Sequence, residues 1–203
     1  MVASTGGGPA PPADILRAKV AVLGDPAVGK TCLCKMFKTN KFPSGYKMTT
    51  TVDYFNKQIR IPDTDVAVEL HFYDMAGSDL FVDALPPFLD NLNLVFVVFD
   101  IANRETFESC AKWLEMARGY NEWKGHLTGV LVGNKLDLHE RRQVQLDDAL
   151  AFAQQNGLEY FETASMPPGR DVDSPFNCLA AIYATMYHNR IDALAQSAAS
   201  PRT

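Results

Sequence analysis

The stretch "GDPAVGKT", Gly24 to Thr31, directly follows the apolar run "KVAVLG" and leads into the amphipathic "TCLCKMFK". Its spacing is G-x-x-x-x-G-K-T, with glycine at 24 and 29, lysine at 30 and threonine at 31. A strand that enters a glycine-rich turn and leaves as a helix brings backbone N–H groups and a helix N-terminus together on an anion. In that setting Lys30 reaches the outer phosphates of a nucleotide and Thr31 offers a hydroxyl to Mg²⁺. The candidate phosphate-binding segment is therefore Gly24, Asp25, Pro26, Ala27, Val28, Gly29, Lys30, Thr31 and Cys32.

Outward from this loop, apolar runs alternate with amphipathic stretches. Strands are predicted at 19–24, 51–62, 66–74, 94–100, 128–134 and 158–163, and helices at 29–38, 79–90, 103–120, 145–156 and 174–190. The turn "DTD" (63–65) is short enough for a hairpin, so the second and third strands are predicted antiparallel. "LVFVVF" (94–99) lacks polar alternation, as a strand covered on both faces should. The expected fold class is α/β: a six-stranded, mostly parallel sheet with one antiparallel strand and about five helices on its two faces. Asn103, Asp147 and Ser174 are expected as helix caps. The Gly- and Pro-rich residues 1–13 are expected to be a disordered tail, 14–190 one domain, and 191–203 a C-terminal tail.

The 203 residues allow one substantial core. A net charge of -5, from 24 acidic and 19 basic residues, disfavours nucleic acid as the main partner. Cys32, Cys34, Cys110 and Cys178 lie in periodic apolar segments and read as reduced, small apolar residues. No apolar run approaches the roughly 20 residues of a membrane span. Val2 and the end "ASPRT" predict neither a myristoyl nor a prenyl anchor. His71, His126, His139 and His188 have no Cys, Ser or carboxylate cluster around them and read as ordinary histidines.

The phosphate loop does not choose the base; "NKLD", Asn134 to Asp137, does. It closes the strand 128–134 at the carboxyl edge of the sheet, where nucleotides bind. The Asp137 carboxylate can accept from the N1–H and N2–H₂ edge of guanine, and adenine presents the wrong groups there.

With these motifs in this order, the chain resembles the Ras-like small GTPases, the Rab branch in particular, over about residues 17 to 188. The resemblance implies GTP/GDP and Mg²⁺ as cofactors. It makes Thr49 in "YKMTTTVDYF" a switch I Mg²⁺ ligand and places Asp74 and Gly77 of "DMAG" at Mg²⁺ and the γ-phosphate. Phe42 is placed as the aromatic beside the base. Asn134, Lys135 and Asp137, with Ala164 and Ser165 of "ETAS", make up the guanine site. Ala164 lacks the hydroxyl that would brace Asp137, and Thr51 stands where the family has glycine. Ser78 stands where the family's catalytic glutamine orients water, and it is too short to reach the same place. Slow hydrolysis is expected, with Ser78, Lys30 and Thr49 as the catalytic set.

"DMAGSDLF", "IPDTDVAVEL", "TFESC" and "MPPGRDVDSPF" are similar, within that branch, to transport-complex subunits of cilia and flagella. This implies a ciliary and cytoplasmic location near the basal body. It also implies capture by a small β-sandwich subunit through the last helix and tail, alongside coiled-coil subunits of a complex B. In that helix Phe176, Leu179, Tyr183 and Tyr187 trace a stripe that Ile182 and Met186 widen. Leu80, Phe81, Val82, Ala84 and Leu85 form a second candidate docking face. Two other readings stand beside this one: a non-cycling structural subunit and another atypical Rab-like trafficking GTPase. An ATP-using kinase is opposed by "NKLD".

Overall fold

A computed structural model describes residues 12–43, 45, 48–120, 127–167 and 169–199. The expected N-terminal tail therefore lies largely outside the described residues, as do His126 and the last four residues. The elements are β1 (Asp14–Leu23), α1 (Lys30–Thr39), β2 (Val52–Arg60), β3 (Val66–Met75), α2 (Pro86–Leu89), β4 (Leu94–Asp100) and α3 (Arg104–Glu108). There follow α4 (Cys110–Tyr120), β5 (Thr128–Asn134), α5 (Leu146–Asn156), β6 (Leu158–Glu162) and α6 (Ser174–Ala199). Short 3₁₀ turns occupy Asp79–Ala84 and Leu136–Arg141.

The six strands form one sheet in the order β2-β3-β1-β4-β5-β6. Only the β2–β3 pairing is antiparallel, closed by Ile61 N–H donating to the Val66 carbonyl at 3.0 Å. The order reverses direction between β1 and β4, and a crevice opens there at the carboxyl ends of the strands. The phosphate loop leaves β1 at that crevice, and Asn134 ends β5 beside it.

Every residue of β4 is buried, as its unbroken apolar run requires. On one face of the sheet Trp113, Leu114, Phe107 and Leu89 pack on Val95, Val97 and Phe99. On the other, α1 and α6 bring Leu33, Phe37, Phe176 and Leu179 against Phe72, Phe96 and Val130. Phe176 stacks on Phe37 at 3.9 Å between ring centroids and on Phe96 at 4.6 Å.

Several elements depart from the expectation. The predicted helix 79–90 is a 3₁₀ turn followed by one short helical turn. Pro86 and Pro87 have no N–H to give to the preceding carbonyls, so the chain restarts its helix with prolines in the first turn. The helix 103–120 is interrupted at Ser109. β1 begins at Asp14, five residues early, because it runs alongside β3 from Val66 onward. Asn103 caps α3 through Glu105 N–H as expected. Asp147 does not cap α5: Gln145 holds that position with no side-chain bond, and Asp147 lies in the first turn. The Ser174 hydroxyl donates to Asp171. α6 extends through Ala199 instead of ending at 190. Among the described residues, no helix is long and apolar enough to cross a membrane.

Candidate nucleotide-binding site

α1 begins with no side-chain cap; its N-cap is Gly29 at φ 103. The first-turn N–H groups are therefore left to an incoming anion. A Cβ on Gly29 would lie 2.2 Å from Asn134 Nδ2, so only glycine lets the loop lie so close to β5. Lys30 is buried and folds back over the loop. Its Nζ donates to the carbonyls of Gly24 and Asp25 at 2.8 and 2.9 Å. Burial pulls its ammonium down to about 8, opposed by the charges of Asp74 and Asp25.

Thr31, Thr49 and Asp74 meet at one point. Thr31 Oγ1 donates to Asp74 Oδ2 at 2.6 Å and lies 3.1 Å from Thr49 Oγ1. Asp74 Oδ1 is buried and has no hydrogen-bond partner among the described residues. Burial pushes this carboxyl up to about 6, against the Thr31 hydrogen bond and the Lys30 charge. An orphaned carboxylate oxygen beside two hydroxyls is an all-oxygen donor set that suits a hard divalent cation, so these residues fit Mg²⁺.

Gly77 presses on the phosphate loop. A Cβ there would come within 2.5 Å of Gly24 O and of the Asp25 carbonyl carbon, and 2.6 Å from Lys30 Nζ. Ser78 lines the cavity, but its hydroxyl accepts from Leu80 N–H at 3.4 Å and so caps the turn 79–84. In that turn Leu80 is 86% exposed and Phe81 and Val82 are half-buried; Leu85, just beyond it, is fully buried.

On the base side, Asn134 is fully buried and ties three segments together. Its Nδ2 donates to the Val28 carbonyl at 2.8 Å and approaches Ser165 Oγ at 3.5 Å. Its Oδ1 accepts from Thr163 Oγ1 at 3.1 Å. Lys135 adopts left-handed backbone (φ 65) and its Nζ pairs with Asp100 Oδ2 at 2.7 Å. Asp137 is exposed to the cavity at the start of its 3₁₀ turn. Ala164 N–H and carbonyl pair with Arg170 in an isolated bridge, which fixes the loop that presents Ser165.

A cavity of about 360 Å³ joins the two halves, within the usual range for a small-molecule site. Lys30, Thr31, Cys32, Thr49, Gly77 and Ser78 line it. Phe42, Asn134, Lys135, Asp137 and Ser165 also line it, together with Pro26, Ala27 and Gly29. Gly24, Asp25, Val28, Asp74 and Ala164 do not line it: Val28 is core, and the others act from behind the wall. Cys32 faces the cavity and Cys34 is buried in the core; all four cysteines are free.

Some contributors were not foreseen from the motifs. Met166, 54% exposed, lines the cavity beside Ser165. Asp100 holds Lys135. Trp113 Nε1 donates to Asp25 Oδ1 at 2.7 Å from α4, 88 positions away. Arg142 grips Glu162 with two hydrogen bonds at 2.6 and 2.8 Å, anchoring the far end of the Asp137 turn to β6. Adjacency to "ETAS" marks Met166; no local signal marks the other three.

A P-loop on β1, a cluster of Asp74, Thr31 and Thr49 oxygens at the end of β3 and an Asn-Lys-x-Asp turn after β5 are the marks of a small GTPase domain. The chain belongs to the Ras family, whose model matches residues 19–184. It is Rab-like and similar to intraflagellar transport protein 27. It is 41% identical to the human intraflagellar transport protein 27 homolog over 87% of this chain and 95% of that protein. It is 40% identical to the Chlamydomonas reinhardtii protein of that name, over 88% and 89% of the two chains. A Trypanosoma brucei homolog is 31% identical over 89% of this chain and 97% of its own length.

Proposed function

We propose that this chain is a Rab-like GTPase subunit of the intraflagellar transport complex B, which binds GTP and GDP with Mg²⁺ and hydrolyses GTP slowly. The observation that carries the reading is a single cavity lined by Lys30, Thr31, Thr49, Asp137 and Ser165, with Asp74 bonded to Thr31 behind its wall. Lys30 would neutralise the outer phosphates, and the loop N–H groups would orient them. Thr31, Thr49 and Asp74 would hold Mg²⁺, which supplies charge neutralisation at the β- and γ-phosphates. Asp137 and the Ser165 backbone would select guanine, with Phe42 against the base.

Slow turnover follows from Ser78. Its hydroxyl is engaged on its own turn and is too short to orient an attacking water. An unassisted Ras-type site turns over at about 4 × 10⁻⁴ per second. A tenfold loss, about 1.4 kcal/mol of barrier, gives bound GTP a lifetime of roughly seven hours. A single-turnover GTP hydrolysis time course beside Ser78→Gln tests this. Clear acceleration by the variant supports a switch with a long timer. A wild-type rate equal to that of an ordinary Ras-type site overturns it.

The second reading, a structural subunit that keeps its nucleotide without cycling, is supported by the capping role of Ser78 and by α6. From Thr185 to Ala198 every residue of α6 is exposed, including Met186, Tyr187, Ile191 and Leu194. That apolar surface supports docking of the small β-sandwich subunit, intraflagellar transport protein 25, with coiled-coil subunits of complex B completing the assembly in the cilium or flagellum. GTP loading without hydrolysis by either wild type or Ser78→Gln favours this reading. Full co-purification of that subunit with a folded chain lacking residues 185–203 would sink the docking assignment.

A further inference from the structure

Two adjacent residues of α4 hold the two loops that enclose the phosphate end of the cavity. Trp113, 1% exposed, donates its indole N–H to Asp25 Oδ1 at 2.7 Å. Lys112 Nζ bonds Asp79 Oδ1 at 2.6 Å, on the turn that follows Ser78. Asp25 is also the residue whose carbonyl accepts from Lys30 Nζ and against whose backbone Gly77 is pressed. One residue thus connects the three: its carboxylate takes the helix's indole, and its backbone meets the phosphate lysine and the "DMAG" segment.

A buried tryptophan needs an acceptor for its N–H, and any carbonyl in reach would serve. Here the acceptor is a charged side chain of the phosphate loop itself, and hydrogen bonds to charged groups are the stronger kind. The loop also contains three residues at positive φ, Gly24, Ala27 and Gly29, so its path depends on what anchors it. We propose that Trp113 is a positioning residue for the nucleotide: its indole fixes Asp25 and thereby the loop and the reach of Lys30. With Lys112 holding the 79–84 turn to the same helix, α4 sets how fast nucleotide leaves. A loosened loop must be re-ordered on a bound phosphate, and that cost is taken from affinity. The inference rests on the proposed guanine-nucleotide reading of the cavity.

The test is the dissociation rate of a fluorescent GDP analogue, chased with excess GDP, from the full chain and from Asp25→Ala, Asp25→Asn, Trp113→Phe and the Asp25→Ala/Trp113→Phe double variant. Loss of the bond should speed release about tenfold in Asp25→Ala and in Trp113→Phe. The double variant should release no faster than either single one, because both remove the same bond. Asp25→Asn keeps an oxygen for the indole but loses the charge that strengthens the bond, so its release should be clearly slower than that of Asp25→Ala and faster than wild type. If Trp113→Phe does not fold, the contrast between Asp25→Ala and Asp25→Asn decides. Release from Asp25→Ala within about twofold of wild type overturns the inference, as does multiplication of the two single effects. A Trp113→Phe protein with a lowered melting midpoint and an unmoved release rate does the same, marking the residue as packing only. Failure of the wild-type chain to load the analogue overturns the nucleotide reading instead.

Discussion

Asn134→Ala should be far more costly than a truncation at the end of a strand would normally be. The side chain has no exposed surface and makes two short hydrogen bonds, to the Val28 carbonyl at 2.8 Å and from Thr163 Oγ1 at 3.1 Å. Its removal leaves a carbonyl of the phosphate loop and a buried hydroxyl of the β6 loop without partners. Each such loss costs about 1–3 kcal/mol, so about 2–6 kcal/mol of stability should go. Thr163→Val separates the two, since it leaves only Asn134 Oδ1 without its partner and should cost about 1–3 kcal/mol. Urea unfolding at saturating GDP, followed by far-UV circular dichroism, measures both variants, and a fluorescent GDP analogue gives the release rate. Asn134→Ala should also release GDP faster, because Val28 leads directly into Gly29 and the helix N-terminus. A cost below about 1 kcal/mol with an unchanged m-value would refute the account of Asn134 as the tie between the two halves of the site.

Phe176→Ala removes a ring stacked on both Phe37 and Phe96 and should cost about 3–5 kcal/mol in urea unfolding, whereas Phe176→Leu should keep most of that packing. Burial alone would raise the Glu162 carboxyl, but the Arg142 hydrogen bonds and the Tyr160 hydroxyl outweigh it and hold it below the usual range. The folded state therefore binds fewer protons. The stabilisation is present at neutral pH and disappears as pH falls from about 4.3 through the lower folded value. Glu162→Gln should be the less stable protein at pH 7, with the gap closing in acid; a gap independent of pH would contradict the pairing. Chelation of Mg²⁺ should speed GDP release from the wild type. It should leave Asp74→Asn unchanged, since that variant has already lost the carboxylate; an equal acceleration in both would remove Asp74 from the cation site.

The parts of the site that lie in one short stretch were legible from residue types. A loop that wraps phosphate needs its glycines in sequence. A guanine-reading carboxylate needs a turn directly after a strand. The hydrophobic period exposed the strands closely enough to place both motifs at carboxyl ends of a parallel sheet. What stayed hidden depends on pairs distant along the chain. Asp25–Trp113 and Arg142–Glu162 join residues whose local patterns name no partner. The break in the helix 79–90 was written in Pro86 and Pro87, but apolar spacing across Leu80, Phe81, Ala84 and Leu85 imitates a helix too well for periodicity to find it. Backbone chemistry overrode the pattern there.

α6 shows where an amphipathic reading stops distinguishing core from interface. Phe176, Leu179, Tyr183 and Tyr187 follow one helical stripe, and nothing in their spacing says where burial ends. The folded domain ends it abruptly. Phe176, Leu179, Ala180 and Ala184 are packed, Ile182 and Tyr183 are half-covered, and Tyr187 is 42% exposed. The helix has 26 residues, and at 1.5 Å per residue it runs roughly 22 Å beyond Ala184. Over that length Met186, Tyr187, Ile191 and Leu194 recur at helical spacing with no core beneath them. Large apolar side chains repeated along an exposed helix cost solubility unless something covers them. The same stripe thus changes role along its length: its first half closes the sheet, and its second half presents apolar surface that the described domain leaves uncovered.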